Sequence, residues 1–343
     1  MPKSNRNFLG DFLNFLISLF RRRETSTTPA PTPAPNDPNV PAQVTTSKIL
    51  VIVFDPIVDV QNNKKLSESL GWNRPEDLAS EFISEIAQDS HEMAHFQVIE
   101  RIDVSSFPAK VDGFQYTPEG YLDVLRGRSP HYQPQEVDYY AILDEFDLLG
   151  RVAKNEFDEV WTFGFPHAGF YESIMAGPGA FWCNAPSLKN TDAAKRRFII
   201  MGFSLERAIG EMLESFGHRV ESIMEKTFAP LSGEADLWKR YTRYEKIAPG
   251  QAAIGTIHFA PNSERDYDWN NPSIVRSECY DWLLNFPNFE GDFREVTARE
   301  WGSGDIRLHH RWWLEHIPHV AGRRNGIVNN WWPYILHPQQ VDV

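Results

Sequence analysis

"ILVIVF", residues 49–54, is six apolar residues with no polar break, closed by Asp55-Pro56. A half-exposed strand alternates apolar with polar side chains. An unbroken β-branched run reads as a strand covered on both faces, as in a parallel sheet with helices on either side. The neighbouring sequence agrees. Residues 75–89, PEDLASEFISEIAQD, start with Pro and two acids and place Leu78, Phe82, Ile83 and Ile86 at helical spacing. In HFQVIERIDV, residues 95–104, Phe96, Val98, Ile102 and Val104 share a parity, which predicts a strand. Residues 138–154 read as a helix, 158–165 (DEVWTFGF) and 198–203 (FIIMGF) as strands, and about 205–227 as the longest helix. A Gly/Pro-rich stretch, 164–187, holds His167, Glu172 and MAGPGAFWCN. Strands alternating with helices predict an α/β domain over 48–227. After 228 the pattern gives way to loops and short elements rich in Trp, His and Asn, expected to pack on that domain.

The chain ahead of residue 48 is of another kind. Residues 24–47 hold six Pro among Thr, Ala and Ser, the composition of an extended spacer. Residues 8–20, FLGDFLNFLISLF, are too few to span a bilayer, and Arg21 to Arg23 follow them. Asp11, Asn14 and Ser18 share one narrow helical face, so segment 1–23 reads as an amphipathic helix for an anionic membrane surface through residues 8–23. A signal or anchor is the competing reading, since Lys3 and Arg6 precede the apolar run, although no small-residue cleavage site follows. A membrane-associated or extracytoplasmic location is the expectation.

The net charge of −13 argues against a nucleic-acid partner, which calls for a basic surface. Two cysteines, Cys183 and Cys279, could pair but cannot form a disulfide framework or a Cys-rich zinc site.

Two stretches invite a metal reading. His91-Glu92-Met93-Ala94-His95 spells H-E-x-x-H, which on a helix puts two His on one face with a Glu base beside them. Here helix 75–89 is ending and strand alternation starts at Phe96, so the motif straddles a junction and a polar loop is the expectation. The second stretch is LERAIGEMLESFGHRVESIMEKTF, 205–228. Leu205, Ile209, Met212, Phe216, Val220 and Ile223 cluster on one side, with Glu211, Glu214, His218 and Glu221 on the other. Three carboxylates and a His on one stripe suit a divalent cation or an acid/base cleft. A solvated face balanced by Arg207, Arg219 and Lys226 is the alternative.

The order of strand ILVIVF, helix, strand HFQVIERIDV, helix, strand DEVWTFGF, Gly-rich edge and long helix with LESFGH resembles the zincin metallopeptidases, whose third helix often carries hEfGH. The resemblance covers roughly 48–227. It implies a zincin-like mixed sheet and a zinc ion, with His218 as the second His ligand. Glu214 stands where the first His ligand is expected, and Ser215 where the catalytic Glu is expected. A carboxylate is an accepted zinc ligand, so Glu214 and His218 can still hold a metal. Glu211 or Glu221 would supply the base, or the chain is a non-catalytic relative. The third ligand would come from His258 or, as second choice, His167.

Further on, Asp266, Asp268 and Asn270 begin like a calcium loop, but Asn271 replaces the required Gly and Ser277 the required Glu. LHHRWWLEHIPH, 308–319, and NNWWPY, 329–334, set His309, His310, His316 and His319 among Trp312, Trp313, Trp331 and Trp332. These rings either close a core or offer stacking platforms to sugars or extended chains, with His310, Trp312 and Trp313 as candidate substrate contacts beside His167. The expectations are therefore a peptidase-like, metal-dependent hydrolase, a carbohydrate-active or carbohydrate-binding protein, or a membrane-tethered interaction protein. The substrate would be a peptide or a glycan.

Overall fold

The computed structural model describes residues 36–342, so segment 1–23 and most of the spacer lie outside the described residues. In chain order the elements are β1 (Thr45–Phe54), β2 (Ile57–Asp59), β3 (Lys64–Lys65), α1 (Leu66–Leu70), α2 (Pro75–Asp89), β4 (Ala94–Val104), α3 (Pro118–Leu125), α4 (Tyr139–Glu145), α5 (Leu148–Ala153), β5 (Glu159–Gly164), β6 (Ser173–Ala176), β7 (Phe198–Ser204) and α6 (Ile209–Phe228). There follow α7 (Leu237–Tyr241), β8 (Val275–Ser277), α8 (Cys279–Asn285), β9 (Arg294–Val296), α9 (Ile306–Glu315), β10 (His319–Arg324), β11 (Ile327–Asn330) and α10 (Trp332–Leu336).

The fold is mixed α/β. Five strands form one sheet in the order β4-β1-β5-β7-β6, parallel throughout except for the antiparallel edge strand β6. As the unbroken ILVIVF run requires, β1 is buried on both faces. Ile49, Val51 and Val53 face a core shared with α2, α6 and the C-terminal aromatics, while Leu50, Ile52 and Phe54 face α4 and α5. In β4 the even-numbered residues do not share one face. Phe96 joins the first core, whereas Ile102 and Val104 join the second. The cause is a register shift opposite Ile49/Leu50, where β4 passes from Val98 to Glu100. One extra residue reverses the side to which every later side chain points.

Two further differences are local. The 138–154 helix is broken at Phe146-Asp147, where Asp147 adopts φ 46°, giving α4 and α5. The long helix starts at Ile209, four residues later than its apolar pattern, with the Glu211 carboxylate accepting from the Ala208 N–H (3.2 Å). The chain ahead of β1 is already engaged at Asp37, which exchanges backbone hydrogen bonds with Arg323 (3.0 and 2.7 Å).

Helix α6 lies between the sheet and helices α9 and α10. Arg219 is fully buried in it and does not balance the acidic stripe. It donates to both Glu159 oxygens on β5 (2.9 and 2.7 Å) and to the Ile335 carbonyl, and Trp161 Nε1 donates to Glu159 (2.6 Å). A buried bidentate pair of this kind fixes the rotation of α6 about its axis. The opposite face, with Glu214 and His218, is thereby presented to the segment that follows residue 250. Cys183 and Cys279 are both buried and unpaired. No helix among the described residues is long and apolar enough to cross a membrane.

Candidate metal centre

Glu214 and His218 are one helical turn apart on α6, so their side chains rise side by side. Between them stands Gly217. A glycine inside a helix costs about 1 kcal/mol relative to alanine, and its use signals a close approach. The approach is by Ile257, into whose side chain a Cβ on Gly217 would run. The Ile257 loop turns at Gly255, where φ is +86° and a Cβ would strike the Phe259 carbonyl. Trp313 Nε1 donates to the Gly255 carbonyl (3.1 Å) from below. These contacts carry His258 onto α6.

The result is a convergence of three ligand-type atoms, all within 4.8 Å of one another, on Glu214, His218 and His258. His258 Nε2 lies 3.0 Å from His218 Nε2 and 3.0 Å from Glu214 Oε1. Each ring turns its other nitrogen to a carboxylate. His218 Nδ1 is 3.0 Å from Glu221 Oε2, and His258 Nδ1 is 2.9 Å from Asp266 Oδ1. Glu221 Oε1 also accepts the Ile257 N–H (3.0 Å), so this carboxylate joins the helix, the loop and the ring. Tyr267, in the left-handed region at φ 56°, donates its hydroxyl to Glu214 Oε1 (2.8 Å).

Electrostatics follow from this packing. Burial works against a charged His258, but Asp266 and Glu214 outweigh it and raise its pKa to about 10. His218 is likewise raised against burial, by the hydrogen bond to Glu221 and the charge of Glu172. Burial would lift the Glu214 carboxyl, yet His258 and Tyr267 hold it below its usual value. A carboxylate behind each Nδ1 favours a proton there and leaves Nε2 as an electron-pair donor. Two such nitrogens and a carboxylate oxygen this close together could hold a metal ion.

Comparison with family models, with curated proteins and with solved structures gave no match to this chain. The geometry therefore stands on its own.

The other residues singled out in the sequence are placed as follows. Glu211 caps the start of α6. His167, at φ 64°, stacks on His131 at 4.9 Å and is not in the converging group. His310 is fully buried in α9 beside His309. Trp313 is fully buried against Trp238 and Tyr241, while Trp312 is partly buried against Trp301 and His316. His91 and Glu92 adopt φ 53° and 64° in the turn between α2 and β4. His91 stacks on His319 at 3.9 Å, and His95 Nε2 faces the Glu92 carbonyl at 3.0 Å. Neither ring of HEMAH belongs to the converging group.

Sequence reasoning missed the roles of Asp266 and Tyr267. Asp266 was legible only as part of a failed calcium pattern. The available signal was its position in a polar, aromatic-rich loop eight residues beyond His258.

Proposed function

We propose that this protein is a metal-dependent hydrolase acting on peptide or similar amide bonds, with Zn2+ held by Glu214, His218 and His258. The observation that carries the reading is the convergence of those three donors with a carboxylate behind each imidazole. Two His and one carboxylate form a donor set used at catalytic zinc sites, which keep a position open for water. The residues thus fit the ion. A zinc bound there lowers the pKa of a water toward neutrality and polarises a carbonyl oxygen.

The chain's own groups have separable tasks. Glu221 and Asp266 orient the two rings and fix their tautomers. Tyr267 orients Glu214 through its hydroxyl. The resemblance of the element order and of LESFGH to the zincin metallopeptidases supports the same reading. The burial of Trp313, Trp331 and Trp332 favours it over a carbohydrate platform, because their faces are spent on the core.

Metal analysis of the purified chain tests it. The expected result is one zinc per chain, with melting lowered by a chelator. In Glu214→Ala the expected affinity is lower by about 100-fold or more, because a directly bound charged ligand is lost. Wild-type protein that neither copurifies with zinc nor binds it on addition would refute the reading.

A further inference from the structure

On helix α6 the carboxylates nearest the two ligands are already engaged. Ser215 occupies the place of the helix carboxylate and spends its hydroxyl on the Glu211 carbonyl (3.0 Å). Glu211 is bound to the Ala208 N–H, and both oxygens of Glu221 are engaged by His218 and the Ile257 N–H. The antiparallel edge strand offers a further carboxylate.

We propose that Glu172, at the entry to β6, is the general base of this site. The assignment rests on the metal-hydrolase reading above. Glu172 is held in place at both ends. Its carbonyl accepts the Gly202 N–H (3.0 Å), which ties it to β7. Its Oε2 accepts from the Asn184 side-chain amide, and the Asn184 N–H in turn donates to Ser222 Oγ (3.1 Å) on α6, one turn beyond His218. Two hydrogen bonds therefore link this carboxylate to the ligand-bearing face of the helix. Its negative charge is felt by both His218 and Tyr267, which belong to or touch the converging group. Glu172 is not one of the three converging donors, and the Asn184–Ser222 link holds it beside the turn of α6 that follows His218. That is where a base acting on a bound water belongs.

The chemistry balances. Glu172 takes one proton from the attacking water, whose oxygen bonds to the amide carbon. The C–N bond breaks with its electron pair going to nitrogen, and Glu172 returns the proton to that nitrogen. Amide and water become acid and amine, and the carboxylate is regenerated. The Asn184 amide occupies Oε2, so Oε1 is the oxygen that carries the proton.

The test loads the full chain with Co2+ and titrates acetohydroxamate, followed by visible absorption. A hydroxamic acid gives up a proton as it chelates, and a neighbouring carboxylate that accepts a hydrogen bond from the bound ligand strengthens it. Glu172→Gln is expected to keep one cobalt per chain and to bind acetohydroxamate about tenfold more weakly, as loss of one charge-assisted hydrogen bond requires. Asn184→Ala, which removes only the bond that aims the carboxylate, is expected to weaken it about threefold. Wild-type affinity in Glu172→Gln at full cobalt content would overturn the base assignment and leave the metal reading intact. Should that variant fail to fold, wild-type affinity in Asn184→Ala overturns the assignment equally. Wild-type protein that takes up no cobalt overturns the metal reading itself, and the base assignment with it.

Discussion

Two pairs of histidines in this protein share a spacing and differ in chemistry. His218 and His258 bring their Nε2 atoms to 3.0 Å, and His309 and His310 bring their Nδ1 atoms to 3.1 Å. Glu221, Asp266 and Glu214 surround the first pair, and both rings are held toward the charged form. The second pair has Trp269 against it, stacked on His309 at 4.8 Å and edge-on to His310 at 5.0 Å. Both of its Nε2 atoms lack a hydrogen-bond partner among the described residues. Burial pushes His309 down to about 3 and His310 well below its usual value. Proximity of imidazoles does not make an ion site. A carboxylate behind each ring supplies the charge that a cation needs and that a buried aromatic pocket withholds.

The largest expected effect of this contrast is on acid stability. His309, His310 and His316, the last held down to about 4 by burial, are neutral in the folded chain. Their folded pKa values lie below the unfolded value of about 6.5, so the unfolded chain binds protons that the folded chain refuses. Stability from this region is present above pH 6.5 and is lost as pH falls. Each such group contributes about 1.4 kcal/mol per pH unit, or about 4 kcal/mol for three at full slope. In the metal-free chain the first pair acts with the opposite sign. Its raised pKa values give stability that is full below pH 6.5 and is lost as pH rises, for His258 through about pH 10. Urea unfolding in the presence of a chelator should therefore give a maximum near pH 6.5, falling on both sides. A curve that climbs steadily from pH 6.5 to pH 4 would break the comparison.

A smaller effect isolates the carboxylates. Asp266→Asn keeps the shape and the contact with His258 but removes the charge. Zinc affinity is expected to fall by about 10- to 100-fold, the range for losing a carboxylate behind a metal-bound His. Competition with a chromophoric chelator measures this, and unchanged affinity would deny Asp266 its role. The smallest effect concerns the other pair. His309→Phe replaces one buried, uncharged ring by another beside Trp269, so stability should change by less than about 1.5 kcal/mol with zinc content unaltered. Loss of zinc in that variant would mean that the buried pair belongs to the site.

What the sequence disclosed about this contrast depended on distance along the chain. Glu214 and His218 were legible because both lie on one helix, where spacing alone fixes their neighbourhood. His258 could be named only as the preferred downstream candidate, because its place depends on the Gly217–Ile257 contact and the bend at Gly255. HEMAH matched a motif in letters, yet the helix ends at Asp89 before the first His, as the flanking pattern indicated. The strand β6 escaped notice since it is four residues long inside a Gly/Pro-rich stretch, so Glu172 was named there without a role. The parity in β4 misled because a bulge leaves no mark on an alternating pattern. The α/β class survived these losses because it rests on long, strongly patterned elements such as ILVIVF and PEDLASEFISEIAQD.

The most direct test of the central claim is an anomalous difference map at the zinc edge, from crystals of the full chain grown with zinc. One dominant peak is predicted within coordination distance of Glu214, His218 and His258. A map with no peak there, or with its dominant peak between His91 and His95, would contradict the account.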